Sequence, residues 1–197
     1  MSKAEKTRQF IVEKTAPIFN MKGYAGTSLS DIAGATGLTK GSIYGNFINK
    51  DEVALAVFDY NLTTLDNKVN AKTSTGTNAI DKLLLMANFY SIEFKNVLIS
   101  GGCPILNTAV EADDTHPLLK DRVSKAIKAW KKNIESIVKQ GISNGEILNK
   151  ANPAEFATEF IALIEGGIML AKVTGDISML HTAINRINTI INNELKL

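Results

Sequence analysis

Residues 27–51, TSLSDIAGATGLTKGSIYGNFINKD, crowd three helix starts and one helix stop into a stretch too short for long elements. Ser28 with Asp31 three places on is a capping-box pattern, in which each side chain bonds the other's free backbone N–H. It opens a helix with Ile32 and Ala35 on its buried face. Gly37 supplies the left-handed residue that ends a helix, and Leu38 is an apolar plug for the angle that follows. Thr39 is an N-cap for a second helix that runs on to Phe47. Ile43 and Phe47 are four apart, so they share one face and point inward. Asn49 with Glu52 repeats the capping-box pattern and starts a third helix at Lys50. Two short helices held at a sharp angle by a glycine turn make a helix-turn-helix unit.

The residues left facing outward are Lys40, Gly41, Ser42, Tyr44, Gly45 and Asn46. Their chemistry is that of a duplex-reading surface. Lys40 can meet a phosphate or a guanine edge, and Gly41 allows close approach of the backbone. Ser42 and Asn46 can hydrogen-bond base edges, and the Tyr44 hydroxyl can reach a phosphate. Lys50 opens its helix where free N–H groups and the positive dipole end also favour phosphate. Packing alone explains Gly37, Ile43 and Phe47; it does not explain an outward set of Lys, Ser, Tyr and Asn beside two glycines.

The order Gly23-Tyr24 … Thr27-Ser28 … Asp31-Ile32-Ala33 … Gly37-Leu38-Thr39-Lys40-Gly41-Ser42-Ile43-Tyr44 … Phe47 … Lys50-Asp51-Glu52 resembles the DNA-binding domain of TetR-family repressors. The resemblance implies that Thr27, Lys40, Tyr44 and Lys50 touch phosphates and that Ser42, Gly45 and Asn46 face bases, with Thr39 and Gly41 in the same contact set. The chain departs from the family at Gly45, where an aromatic is common, and at Asn46, where His is common. A glycine there costs the helix about 1 kcal/mol relative to alanine and takes a side chain out of the interface.

Charge agrees with this placement. Residues 1–50 hold seven basic side chains (Lys3, Lys6, Arg8, Lys14, Lys22, Lys40, Lys50) against three acidic ones (Glu5, Glu13, Asp31). The rest of the chain carries a slight acidic excess. A basic end that coincides with a helix-turn-helix is the electrostatic footprint of a DNA reader. With one cysteine, neither an internal disulfide nor a cysteine-based zinc cluster can form. No apolar run approaches the roughly 18 residues of a membrane span, and the N-terminus lacks a signal-peptide core. The expectation is a soluble, cytoplasmic protein without a cofactor or membrane partner.

Periodicity reads as helix throughout, with no strand alternation and no repeats. Ser2 and Glu5 cap a first helix to about Lys22, buried at Ile11, Ile18 and Phe19, with a kink expected at Pro17. The third helix-turn-helix element continues to about Asn70. The polar run Lys72–Thr77 is the best internal break. Asn78 caps a helix carrying Ile80, Leu83, Leu84, Ala87 and Phe94, which ends at Ser100-Gly101-Gly102-Cys103-Pro104. A short helix or turn over 105–112 follows. Pro117 starts a long helix with Leu119, Val123, Ile127, Trp130, Ile134 and Ile137 on one face. Asn152-Pro153-Ala154-Glu155 starts another, and Asp176 caps the last. The fold expected is all-α, about nine helices, with a helix-turn-helix domain over 1–49 and a ligand-binding and dimerisation domain over 50–197.

The final two helices are apolar on more than one stripe, which calls for a second surface to cover them. The resemblance implies a homodimer joined through these helices, for which Phe156, Phe160, Leu163, Ile164, Gly167, Ile184, Ile187 and Ile191 are the expected interface. Two heads on a two-fold axis would then meet a palindromic operator, half-sites one helical turn or slightly more apart. The resemblance further implies release from DNA when a small-molecule inducer enters the C-terminal domain. Candidate lining residues are Phe89, Tyr90, Phe94, Cys103, Leu106, Asn107, Val110, Trp130 and Ile134, an apolar set with Asn107 and Tyr90 as polar handles for an apolar or amphipathic ligand. Cys103, near a helix N-terminus, is either a thiolate sensor of electrophiles or a small buried hydrophobe. His116 and His181 are isolated, and no His/Glu cluster has metal spacing. The competing reading is a helical small-molecule-binding protein or enzyme whose N-terminal helices only pack.

Overall fold

The computed structural model describes residues 2–197. In chain order the helices are α1 (Lys3–Gly26), α2 (Leu29–Thr36), α3 (Lys40–Tyr44), α4 (Lys50–Thr73), α5 (Ala79–Ile92), α6 (Phe94–Ile99), α7 (Pro104–Ala112), α8 (Pro117–Ser143), α9 (Pro153–Thr174) and α10 (Ser178–Ile190), followed by a π-helical turn, Ile191–Leu195. The all-helical expectation holds. The extra short element is α6, which Glu93 separates from α5, so that Phe94 opens a new helix instead of continuing the old one. Packing divides the chain into two compact units that a cut at residue 50 does not reproduce. The first holds the stretch up to Leu65 together with Ser100–Ser124; the second holds Asp66–Ile99 and Lys125–Leu197.

In the first unit α1 starts with the Ser2/Glu5 capping box. Pro17 lies inside it without breaking it. Its backbone stays helical and its ring is exposed, so water can serve the carbonyl that loses a partner. The break comes at Gly23, at φ 72° and ψ −179°. Ile18 is half-buried, not core. In α2 the inward residues are Ile32 and Thr36, and Ala35 is half-buried. The Thr36 hydroxyl bonds the Ile32 carbonyl at 2.8 Å, which lets a threonine fill an interior position. Gly37 closes α2 at φ 68° as a left-handed cap. The Thr39 hydroxyl takes the Ser42 N–H at 3.1 Å. α3 is shorter than its pattern suggests, but Ile43 and Phe47 are both buried.

In the second unit α9 and α10 form a hairpin turned by Gly175, also left-handed. Its core joins Leu83, Met86 and Ala87 of α5 to Phe160, Ile164, Ile168, Leu180, Ile184 and Ile187. The chain end is tied in. Leu148 N–H donates to the Leu195 carbonyl at 2.8 Å, and Leu197 N–H donates to the Glu146 carbonyl at 3.2 Å.

The expected dimer set is corrected here. Phe156, Phe160, Ile164, Gly167, Ile184, Ile187 and Ile191 are buried within one subunit, and only Leu163 keeps partial exposure. A Cβ at Gly167 would lie 3.0 Å from the Ala183 Cβ and from Leu180, so that glycine serves the α9–α10 contact. The outward face of α9 carries Ala162, Gly166, Met169, Leu170 and Val173 instead, and a Cβ at Gly166 would meet nothing within 4 Å.

Candidate nucleic-acid interface

The outward face of α3 is built by local bonds and by Arg8 of α1, which anchors the turn that follows it. Ile43 and Phe47 turn inward, which leaves Lys40, Gly41, Tyr44 and Gly45 exposed and Ser42 half-exposed. Tyr44 is 50% exposed. Asn46 is half-buried, and its side-chain amide donates back to the Ser42 carbonyl at 2.8 Å. Its own carbonyl accepts from Arg8 Nη1 at 2.6 Å, while Arg8 Nη2 meets Glu52 Oε1 at 2.5 Å. The guanidinium also stacks 4.0 Å from the centre of the Phe47 ring. Arg8 thus fixes the end of α3 against α4, a role the sequence did not reveal because its partners lie far along the chain.

Thr27 is withdrawn from the contact set. It is 0% exposed, and its hydroxyl donates to the Gly23 carbonyl at 2.6 Å. The turn at Gly23 presents that carbonyl, and Thr27 closes it. Thr39 is exposed, with its hydroxyl used as the α3 cap. The Asn49/Glu52 box is half-formed: Glu52 N–H donates to Asn49 Oδ1 at 2.9 Å, but the Glu52 carboxylate takes the Ile48 N–H at 2.7 Å. That bond first, and Arg8 second, hold the Glu52 carboxyl below its usual range.

Lys50 is half-buried, its ammonium 4.2 Å from the centre of the Tyr24 ring. Tyr24 is itself pinned. Its hydroxyl donates to Asp51, and its ring meets His116 edge-on at 4.5 Å. The bond to Asp51, then burial, pushes its pKa up to about 12. His116, at the start of α8, is buried. Its Nδ1 takes the Leu119 N–H at 3.2 Å and so caps α8, and its Nε2 lies 3.6 Å from Asp51.

The segment 100–124 is fastened to α1 by side chains. Asn20 donates to the carbonyls of Ser100 at 2.5 Å and Gly102 at 2.9 Å. Asn107 donates to the Asn20 carbonyl at 3.0 Å and to the Gly101 carbonyl at 2.7 Å. Glu111 accepts the Tyr24 and Ala25 amides, each at 2.7 Å. Asn107 is therefore a structural clamp and not a free polar handle. Of the other expected ligand residues in this unit, Cys103 is 2% exposed, Leu106 is half-buried, and Val110 is 74% exposed. A cavity of about 30 Å³ beside Asn20, Asn61, Thr108 and Glu111 has room for one or two waters.

The remaining ligand candidates belong to the second unit. Phe89, Tyr90, Phe94 and Ile134 are buried, and Trp130 is half-buried. Ring contacts run from Phe89 to Tyr90 at 5.4 Å, to Trp130 at 6.1 Å and to Phe160 at 6.5 Å.

The family model for bacterial regulatory proteins of the tetR family matches residues 11–57, and that for the tetracyclin repressor-like C-terminal domain matches residues 79–187. The crystal structure of a TetR-family transcriptional regulator from Cytophaga hutchinsonii superposes with a TM-score of 0.96 at 41% identity, over 100% of this chain and 98% of that one. A TetR transcriptional regulator from Chloroflexus aurantiacus gives 0.95 at 36% identity over 100% of both. The transcriptional repressor DhaR of Mycobacterium sp. (strain GP1) is 24% identical over 166 residues, 84% of this chain and 82% of its own. A helix-turn-helix with an exposed polar third helix, continuous with an all-helical body matched along its whole length, places this chain in the TetR family of DNA-binding transcriptional regulators.

Proposed function

We propose that the protein is a homodimeric, ligand-responsive repressor that binds a palindromic operator through Lys40, Gly41, Ser42, Tyr44, Gly45 and Lys50 of each subunit. The observation that carries this reading is the face of α3, where exposed Lys40 and Tyr44 flank Gly41 and Ser42 while Ile43 and Phe47 hold the helix from beneath. Asn46 joins the set when it exchanges its bond to the Ser42 carbonyl for one to a base. The name of DhaR supports repression over activation.

The dimer uses the outward face of α9, Leu163, Gly166, Met169, Leu170 and Val173, beside a largely uncharged polar face of α10, including Thr182, Asn185 and Thr189. The inducer is apolar or amphipathic and binds among Phe89, Tyr90, Trp130 and Phe160, where rings dominate and the Tyr90 hydroxyl is a polar handle. The burial of Cys103 favours packing over electrophile sensing.

The test is a gel shift on the DNA upstream of the protein's own coding sequence, over a salt series. Specific binding should weaken steeply with salt as phosphate neutralisation releases counterions. Tyr44→Phe and Lys50→Ala should weaken binding to all sequences alike, whereas Asn46→Ala should alter sequence preference. Binding insensitive to Lys40→Ala and Lys50→Ala at every salt concentration would refute the reading.

A further inference from the structure

Ile48 is the most exposed large apolar side chain among the described residues, at 86%. It stands in the turn between α3 and α4, directly after buried Phe47 and two places before Lys50. The turn is rigid. Ile48 N–H donates to Glu52 Oε2 at 2.7 Å, Glu52 N–H donates to Asn49 Oδ1 at 2.9 Å, and Arg8 spans Glu52 and the Asn46 carbonyl. A hydrogen-bonded turn thus holds an isoleucine out in water, 86% exposed.

What covers it is identified by its neighbours. It lies between the exposed face of α3 and the N-terminus of α4, the two ends of the surface assigned above to DNA. Along a duplex backbone phosphates alternate with deoxyriboses. A lysine that meets a phosphate therefore sets an apolar neighbour against the C–H edge of the adjoining sugar. We propose that Ile48 is an apolar contact of the DNA interface, packed on the deoxyribose beside the phosphate that Lys50 meets. This rests on the DNA-facing reading of α3 and α4. The contact releases no counterion, so it raises affinity without raising salt dependence. It reads no base, so it strengthens all sequences alike.

The experiment compares full-length wild type with Ile48→Ala, Ile48→Lys and Lys50→Ala on a duplex obtained by in vitro selection with the wild-type protein, over a series of salt concentrations. Ile48→Ala is expected to weaken binding about tenfold at every salt concentration, the size expected when an apolar contact of two or so methylenes is lost. Its plot of log affinity against log salt should run parallel to wild type. Ile48→Lys should steepen that plot by about one unit, and Lys50→Ala should flatten it by about one. Both Ile48 variants should melt at the wild-type temperature, because that side chain is 86% exposed. If Ile48→Ala binds within twofold of wild type while Lys50→Ala binds weakly, the proposal is overturned and the DNA-facing reading survives. If Lys50→Ala and a further Lys40→Ala variant are also unchanged, both fall together. A changed slope for Ile48→Ala would overturn the apolar contact specifically.

Discussion

Gly23→Ala tests how α1 is joined to the segment that carries Glu111. Gly23 alone in α1 leaves the helical region, at φ 72°. A Cβ there would sit 2.3 Å from Glu111 Oε2, the oxygen that accepts the Tyr24 amide. Alanine meets two penalties. A backbone at φ 72° and ψ −179° is open essentially to glycine alone and costs a residue with a Cβ about 2 kcal/mol. Displacing the carboxylate breaks its bonds to the Tyr24 and Ala25 amides, about 1 kcal/mol each in this partly exposed setting. Together they come to about 4 kcal/mol. Glu111→Ala removes the two bonds but leaves the glycine relaxed, for about 2 kcal/mol. In the double variant the carboxylate is already gone and alanine adds only backbone strain. Its loss should be about 4 kcal/mol, against the about 6 kcal/mol of simple addition, a coupling of about 2 kcal/mol. Urea unfolding of the four proteins at one protein concentration measures the cycle, since a dimer's stability depends on concentration. An additive double variant would refute the claim that the Cβ acts by expelling the carboxylate.

The remaining predictions concern titration and assembly. Tyr24 holds its proton up to about pH 12 against an ordinary 10.0, so the stability its bond to Asp51 contributes is intact below pH 10 and lost between there and 12. Phenolate absorbance should show this late titration in wild type and its return towards 10.0 in Asp51→Asn. The Glu52 carboxyl is held below its ordinary value of 4.5, so it stabilises the fold above that pH and the contribution fades as pH falls through the lowered value; Glu52→Gln should flatten the acid limb of the stability curve. Gly166→Leu should dissociate the proposed dimer in sedimentation equilibrium while raising subunit stability by up to about 1 kcal/mol through helix propensity. Gly167→Leu should instead destabilise the subunit by about 1–3 kcal/mol, because Ala183 and Leu180 fill the space it needs.

The reading head was legible because its determinants are local. Ser28 and Asp31 are three residues apart, Thr39 and Ser42 likewise, and Gly37 needs no partner for its conformation. What sequence reasoning missed is joined over long separations. Arg8 meets Glu52 across 44 positions, Asn20 meets Gly102 across 82, and Tyr24 meets Glu111 across 87. No periodicity marks such pairs, so Asn107 looked like a ligand handle. Thr27 failed for a related reason: the backbone turn at Gly23 offers a carbonyl that captures its hydroxyl. Counting charge over residues 1–50 also hid a second basic stretch, α8, which carries Lys120, Arg122, Lys125, Lys128, Lys131, Lys132 and Lys139 but only Asp121 and Glu135 as acids of its own, with Arg122 paired to Asp59 of α4 at 3.1 Å.

The last two helices show where apolar content stops being informative. Sequence identified α9 as apolar on more than one stripe, which is correct, but hydrophobicity carries no direction. Phe156, Phe160, Ile164 and Ile168 form the inner stripe, while Met169, Leu170 and Val173 are exposed. The adjoining glycines separate the two faces. Each costs the helix about 1 kcal/mol relative to alanine. Gly167 has its reason inside the subunit, since a methyl there would press on Ala183 at 3.0 Å. Gly166 has none, since the same methyl would meet open space. A helix cost with no return within the subunit, at the centre of an exposed apolar stripe, is what the proposed dimer would account for, through a second helix approaching from outside. The bulky residues that looked most like an interface belong to the core, and the open space beside Gly166 is where the proposed dimer would bring its partner helix.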